Sequence, residues 1–393
     1  MAVEVGVIYV TLLELSILIT MAEFVSLILS KYGYPRVISE LLVGLALSPY
    51  AIGGVLNDLL HIDIFTVNNY VYFLSEFSVI LLLFASGLEH GLSTLRAGGV
   101  LGLLAAIAGA VVPYYLVYEV LEIMHFNNVQ ASLIALSTGP TSLAVVAGII
   151  EGEGFINLKS TKILVTSASL DDVVTLIMLS AITSMLGGSR GPIVITVIRI
   201  IGLWALVLAL SILIIPRVLD RINELLVVYA SLIVLFGLTT LMTALGFSAV
   251  IASFIAGVAV AESARSGRVK GAVDELLAIF GSIFFIAFGL QVDVRYMFNL
   301  GALTSALIVS SIAIAGKVIG VYPFAYAKLR NGGQALTASL GMVPRGEMGI
   351  AVASIGYSNG LIGQDGLAIV VLMVLITTVA GALAYKRSAI KYG

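Results

Sequence analysis

The sequence contains no cysteine, which excludes disulfide scaffolds and thiolate metal centres, and its three histidines are too few to suggest a zinc site. Charge is also scarce. Asp, Glu, Lys and Arg make up 11% of the 393 residues, where a soluble domain carries about a quarter. A net charge of −2 leaves no basic face for nucleic acid. No Gly-rich phosphate loop follows a soluble strand, so no nucleotide-binding domain is expected. No Ser/Pro-rich linker or low-complexity tail divides the chain. What the sequence has in abundance is apolar surface, 60% of all residues. A soluble fold could not bury that fraction and keep a polar exterior, so the lipid bilayer is its natural solvent.

Only helices and closed barrels satisfy the backbone in lipid, and these apolar runs are too long and continuous for alternating barrel strands. The first, Ile8 to Ser30, has no basic flank ahead of it and no clear cleavage site, and reads as a retained helix. With about 20 residues needed per crossing, helices are expected at about 8–30, 35–50, 71–89, 97–121, 130–150, 160–186, 191–216, 222–244, 246–263, 272–291, 300–328, 333–357 and 363–386. Thirteen crossings put the termini on opposite faces. Fifteen basic residues then fall in one set of alternate loops and the C-terminus, and only Arg190 and Arg295 in the other. The positive-inside rule makes the C-terminus cytoplasmic and the N-terminus external.

An ionisable group near the bilayer centre costs at least about 2.5–3.5 kcal/mol, so each one calls for a reason. Asp171 and Asp172 lie midway along the sixth span, in ILVTSASLDDVVTLIML. Adjacent helical residues point about 100° apart, so one carboxylate can face an aqueous cavity while the other faces a protein partner. A carboxylate that is alternately protonated and cation-bound is the minimum machinery for exchange. Sodium, a hard cation, suits carboxylate, hydroxyl and carbonyl oxygens. A purely structural pair that clamps helices together is the competing reading. Lys317, also mid-span, needs a counter-charge, and an Asp171–Lys317 pair would leave Asp172 to the cation; a lysine that only neutralises helix ends is the competing reading. Glu14, Glu23, Glu40, Glu76 and Arg199 carry no functional assignment.

Two spans look broken. ALSTGPTSLAVVAG places Gly139 and Pro140 between hydroxyl residues, and SLGMVPRGEMGIAVA places Gly341, Pro344, Arg345, Gly346 and Glu347 in one apolar run. Proline removes a backbone donor and glycine loosens the turn. Interrupted spans at corresponding positions of two halves point to a transporter's ion site, and these are seven helices apart. Freed carbonyls with Thr141 and Ser142 could complete an oxygen shell around Asp172. Glu347 could sit against exposed half-helix N-termini, where negative charge is favoured.

The ordered runs YPRVISELLVGLALSP, SVILLLFASGLE, PTSLAVVAGIIEGEGFI, LDDVV, GFSAVIASFIAGVAVAES, IFFIAFGLQVD, GKVIG and GMVPRGEMGIAVA resemble the monovalent cation:proton antiporter-2 family, in particular its sodium/proton branch. The resemblance implies an all-α membrane protein of the NhaA/NapA-like antiporter fold, with about 13 helices in inverted-topology repeats and two crossing discontinuous helices. It implies a homodimer in which a core (about 71–186 and 272–357) moves like an elevator against a scaffold (about 8–50, 191–263 and 363–386), all within one membrane domain over 1–393. Asp172 would carry cation and proton, and Asp171 would pair with Lys317 when no sodium is bound. Thr141 and Ser142 would add sodium ligands, with Pro140, Arg345 and Glu347 in support. An Asp-Asp pair favours electrogenic sodium exchange, with lithium as surrogate. One departure is Gly-Pro before the Thr-Ser, where relatives more often have alanine.

The reading is therefore of a transporter without a cofactor, not an enzyme, in a prokaryotic plasma membrane. Its substrates are Na+ or Li+ and H+, and its surroundings are the lipid bilayer. Potassium/proton exchange is the runner-up, followed by a sodium-coupled symporter, a channel or a pH sensor. A channel would need a repeated carbonyl filter, and none is written in the sequence.

Overall fold

The computed structural model describes residues 6–32, 34–89, 91, 99–186, 193–245 and 248–392. Arg96 and Arg190 of the loop count, and Gly246 and Phe247 of the GFSAVIASF run, lie outside them. The described residues form seventeen α-helices and no strand.

Nine of these are long and apolar enough to cross a bilayer. They are α1 (Val7–Leu29), α4 (Asn69–Glu89), α5 (Gly99–Ile123), α8 (Lys159–Leu186), α9 (Ile193–Leu219), α10 (Val227–Ala244), α12 (Ser266–Gln291), α14 (Leu300–Leu329) and α17 (Gln364–Tyr392). Two further expected spans are split. One consists of α6 (Asn128–Leu136) and α7 (Leu143–Gly152), the other of α15 (Gly332–Gly341) and α16 (Glu347–Ser358). The expected spans at 35–50 and 246–263 are the shorter helices α2 (Arg36–Ala46) and α11 (Ala249–Ala261). Each of the thirteen expected spans thus has its helix or helix pair. Two short helices, α3 (Ile52–Leu60) and α13 (Val294–Met297), fall where the hydropathy pattern places only loops. The α3 helix ends on His61 in the left-handed conformation, and the following chain is pinned by Asn57, whose side chain bonds the backbone of Ile64 and Phe65.

The chain divides into two compact units, with three of the four boundaries falling inside α4, α8 and α12. One unit comprises Met1–Ser75, Gly98–Asp172 and Ser282–Gly393, and the other Glu76–Ala97 and Val173–Gly281. In the first, α14 lies along α5, and α17 packs on α14, α15 and α16. Ala105, Leu164, Ala168, Val321, Ala338, Met342 and Tyr385 meet there in one buried cluster. The core of the second gathers Leu81, Phe84, Leu235, Ala256, Val260 and Val273.

Each unit contains a helix crossing so close that only glycine fits. In the first, α2 meets α12, and a Cβ on Gly44 would lie 2.3 Å from the Ile286 carbonyl oxygen, with Gly289 opposite. In the second, α4 meets α11, and a Cβ on Gly257 would lie 2.1 Å from the Phe84 carbonyl, with Gly87 opposite. The interval of seven spans that separates the two broken helices also relates α2 to α11 and α4 to α12. The paired crossings recur at the interval an inverted repeat requires.

Candidate functional site at the crossing of two broken helices

The α6–α7 break runs through Ser137 to Ser142, and the α15–α16 break through Met342 to Gly346. The two cross, joined by a backbone hydrogen bond from Ser142 N to the Pro344 carbonyl at 2.9 Å. Small residues permit the approach. A Cβ on Gly346 would sit 2.5 Å from Ser142 Oγ, and one on Gly349 would sit 2.7 Å from the Ser137 carbonyl.

A break in a helix exposes carbonyls at one end and N–H groups at the other, giving partial negative and positive charge. The side chains here follow that polarity. Lys317 reaches the first break from α14. Gly316 and Gly320 let α14 settle against Pro113 and Ala108 of α5, and the lysine stem crosses Gly109, whose Cβ would lie 3.6 Å from Lys317 Cδ. Its ammonium donates to the Gly139 carbonyl at 2.5 Å and to Asp171 Oδ2 at 2.6 Å. Arg345 Nη1 donates to the carbonyls of Pro140 (3.0 Å) and Met342 (3.1 Å), joining the two breaks. Its Nε and Nη2 make no hydrogen bond among the described residues. Thr378 of α17 donates its hydroxyl to the Arg345 carbonyl. At the opposite polarity, Glu347 opens α16 and accepts a 2.9 Å bond from the hydroxyl of Ser142, the residue just before α7. One carboxylate thus opens α16 and meets the residue that caps α7, and two cations serve the freed carbonyls.

Asp171 and Asp172 lie on α8, 0% and 5% exposed. Besides Lys317, Asp171 receives the Thr141 hydroxyl at 2.6 Å, and that hydroxyl also faces the Met342 carbonyl at 3.1 Å. The structure therefore gathers Thr141, Asp171, Lys317 and Arg345 into one buried set, with Pro140 supplying a carbonyl. Ser142 and Glu347 form a second contact across the breaks. The hydroxyls expected around Asp172 are engaged elsewhere in this structure, Thr141 with Asp171 and Ser142 with Glu347.

The carbonyl ligation by Arg345 went unread in the sequence, whereas that by Lys317 is the helix-end contact the competing reading allowed. The signal for it was present, since a Gly-Pro break must leave acceptors that a buried cation can reach. Two acids without an assignment also prove buried. Glu14 accepts the Thr66 N–H at 2.9 Å, and Glu40 accepts from Arg36 (2.9 Å) and Ser282 (2.5 Å). Arg36 also pairs with Glu23. Outside the membrane spans, the hydrogen bond from Arg295 holds the Asp293 carboxyl below its ordinary range, against the opposing effect of its burial.

Discontinuous helices crossing beside a buried acid pair and its lysine are the architecture of a secondary membrane transporter. The chain belongs to the sodium/hydrogen exchanger family, whose transmembrane region it matches over residues 16–386, and it is an integral membrane protein. It is similar to the Na(+)/H(+) antiporter of Enterococcus hirae, 28% identical over 364 residues covering 91% of this chain and 92% of that one. It is also similar to the Na(+)/H(+)-K(+) antiporter GerN of Bacillus cereus, 26% identical over 88% of each chain. Among solved structures, the sodium proton antiporter MjNhaP1 of Methanocaldococcus jannaschii shares the fold, with a TM-score of 0.69 at 15% identity over 98% of this chain and 99% of that one. The family is thus the broad exchanger family, within which the resemblance read from the motifs names one branch.

Proposed function

We propose that this chain exchanges sodium ions for protons by competition at Asp172, with Asp171 held by Lys317 when no sodium is bound. The observation that carries the reading is the Lys317–Asp171 pair at 2.6 Å, fully buried and lodged in the break of a discontinuous helix, with Asp172 beside it. A proton and an alkali cation compete for the same oxygens, and a carboxylate that has just been neutralised by one has released the other. Sodium entering beside Asp172 can draw on the carboxylate of Asp171 and the Thr141 hydroxyl, the hard oxygen ligands such a cation takes. Lithium serves as surrogate.

Exchange is electrogenic in this reading, with the acid pair exposed to each face in turn. The moving body carries the broken helices and α8. Its expected partner is a scaffold that includes α1, α2 and α9–α11. Residues 363–386 were expected in that scaffold, but α17 packs on α14–α16, and we place it with the moving body. We further propose a homodimer in a prokaryotic plasma membrane, with the C-terminus cytoplasmic. No cofactor is assigned.

Asp172→Asn tests the core of this reading. In proteoliposomes with an internal pH dye it should abolish sodium-driven proton movement while leaving a folded protein, and normal exchange in that variant would refute the assignment. Potassium/proton exchange is the second reading, favoured by the potassium in the printed name of the Bacillus cereus relative. A cation-by-cation assay in the same vesicles separates the two.

A further inference from the structure

A cavity of about 400 Å³ lies along α7. Its lining includes Ala144, Val145, Gly148, Ile149 and Gly152, which form one stripe of that helix. By helical rise the stripe extends about 13 Å from Ala144 to Glu153. It begins two residues after Ser142, whose hydroxyl meets Glu347 at the crossing. Ala382 and Leu383 of α17 and Ser30, Tyr34 and Pro35 between α1 and α2 close the other sides. The walls are mainly apolar, and among the described residues Glu153 and Lys386 are the only formally charged ones in the lining. These two meet at 2.5 Å, each partly exposed.

We propose that Glu153 is the cation-collecting carboxylate at the mouth of an ion route along α7, and that Lys386 is its tethered competitor. The ammonium sits where an arriving cation would sit. A cation leaving bulk water for a mainly apolar passage loses hydration, and a carboxylate at the rim offsets part of that cost. With Lys386 in place the rim is neutral and the route is closed to cations. Because the pair is partly exposed it holds weakly, and an alkali cation can displace it. Glu153 and Lys386 are positioning residues, since neither touches the acid pair. The inference rests on the antiport reading, because it concerns the approach of that reading's cation.

The test is the KM for sodium, measured in oriented vesicles separately from each face. From the face bearing the C-terminal end of α17, Lys386→Gln should lower KM by about two- to fivefold, the range expected for a pair this exposed. Glu153→Gln should raise KM by a similar factor. Both effects should fall on KM and not on kcat, and both should be absent from the opposite face. The exchange Glu153→Lys with Lys386→Glu restores a pair and should return KM toward that of the unaltered protein. A surface bridge with a purely structural role would move both single variants in the same direction, through stability. Shifts of the same sign, no shift, or equal shifts from both faces overturn the proposal while leaving the antiport reading intact. If the unaltered protein shows no sodium-driven proton flux, or Asp172→Asn retains it, both fail.

Discussion

Lys317 holds two partners at once, an acid on α8 and a peptide carbonyl in the first break, with no exposure to solvent. Removing one member of a buried ion pair strands the other charge, at a cost of about 3–5 kcal/mol. Lys317→Ala should therefore lower the thermal midpoint in detergent markedly and alter transport. An unchanged midpoint would mean that the pair contributes little to the fold. Arg345 differs in kind. Its recorded hydrogen bonds all go to backbone carbonyls, so its contribution is to hold the two breaks in register. Arg345→Gln removes the charge and the fork together and should destabilise by about 1.5–3 kcal/mol for each charge-assisted bond lost. Arg345→Lys keeps the charge without the planar geometry and should fall between the two in a thermal melt.

At the scale of helices, the glycine crossings make the sharper prediction. Gly44→Ala and Gly257→Ala each put a Cβ within about van der Waals overlap of a backbone carbonyl, where no flexible side chain can give way. Overpacking of this kind costs about 1–3 kcal/mol. Gly237 in α10 has nothing within 4 Å of a built Cβ, so Gly237→Ala should be neutral or stabilising by about 0.5–1 kcal/mol. If all three behave alike, close backbone packing is not what these glycines provide. Elements of this length were readable in advance because lipid imposes one requirement on every span, and hydropathy records it. The breaks were readable because proline removes a donor and glycine loosens the turn at fixed positions. The orientation of hydroxyls was not. Whether Thr141 turns to Asp171 or to Asp172 depends on where the Met342 carbonyl arrives from a break 201 residues away. Periodicity carries no trace of that arrival. The Glu153–Lys386 contact, 233 residues apart, was hidden for the same reason, and α3 is too short to leave a hydropathy signature.

At the scale of the whole molecule, the absence of cysteine becomes an experimental asset, since any introduced thiol is the only one present. A single cysteine at Ala144, on the stripe below the crossing, should react with a membrane-impermeant reagent from one face, and sodium should change the rate. A rate indifferent to sodium would separate the stripe from the transport cycle. The dimer has its own test. The α1 helix presents Leu12, Leu13, Phe24 and Leu27 on its surface, all at least half exposed. Native mass spectrometry from lipid nanodiscs should give twice the mass of one chain, and a monomer would remove the dimeric scaffold from the elevator scheme.

The ammonium of Lys317 is a single peg driven through two boards. One ammonium holds both seats, so in the proposed exchange an ion that displaces it would free the two together. In that scheme the newcomer would inherit two hard oxygen ligands from different segments, and the chain between the half-helices would be free to follow it. Loading and loosening would then be one event.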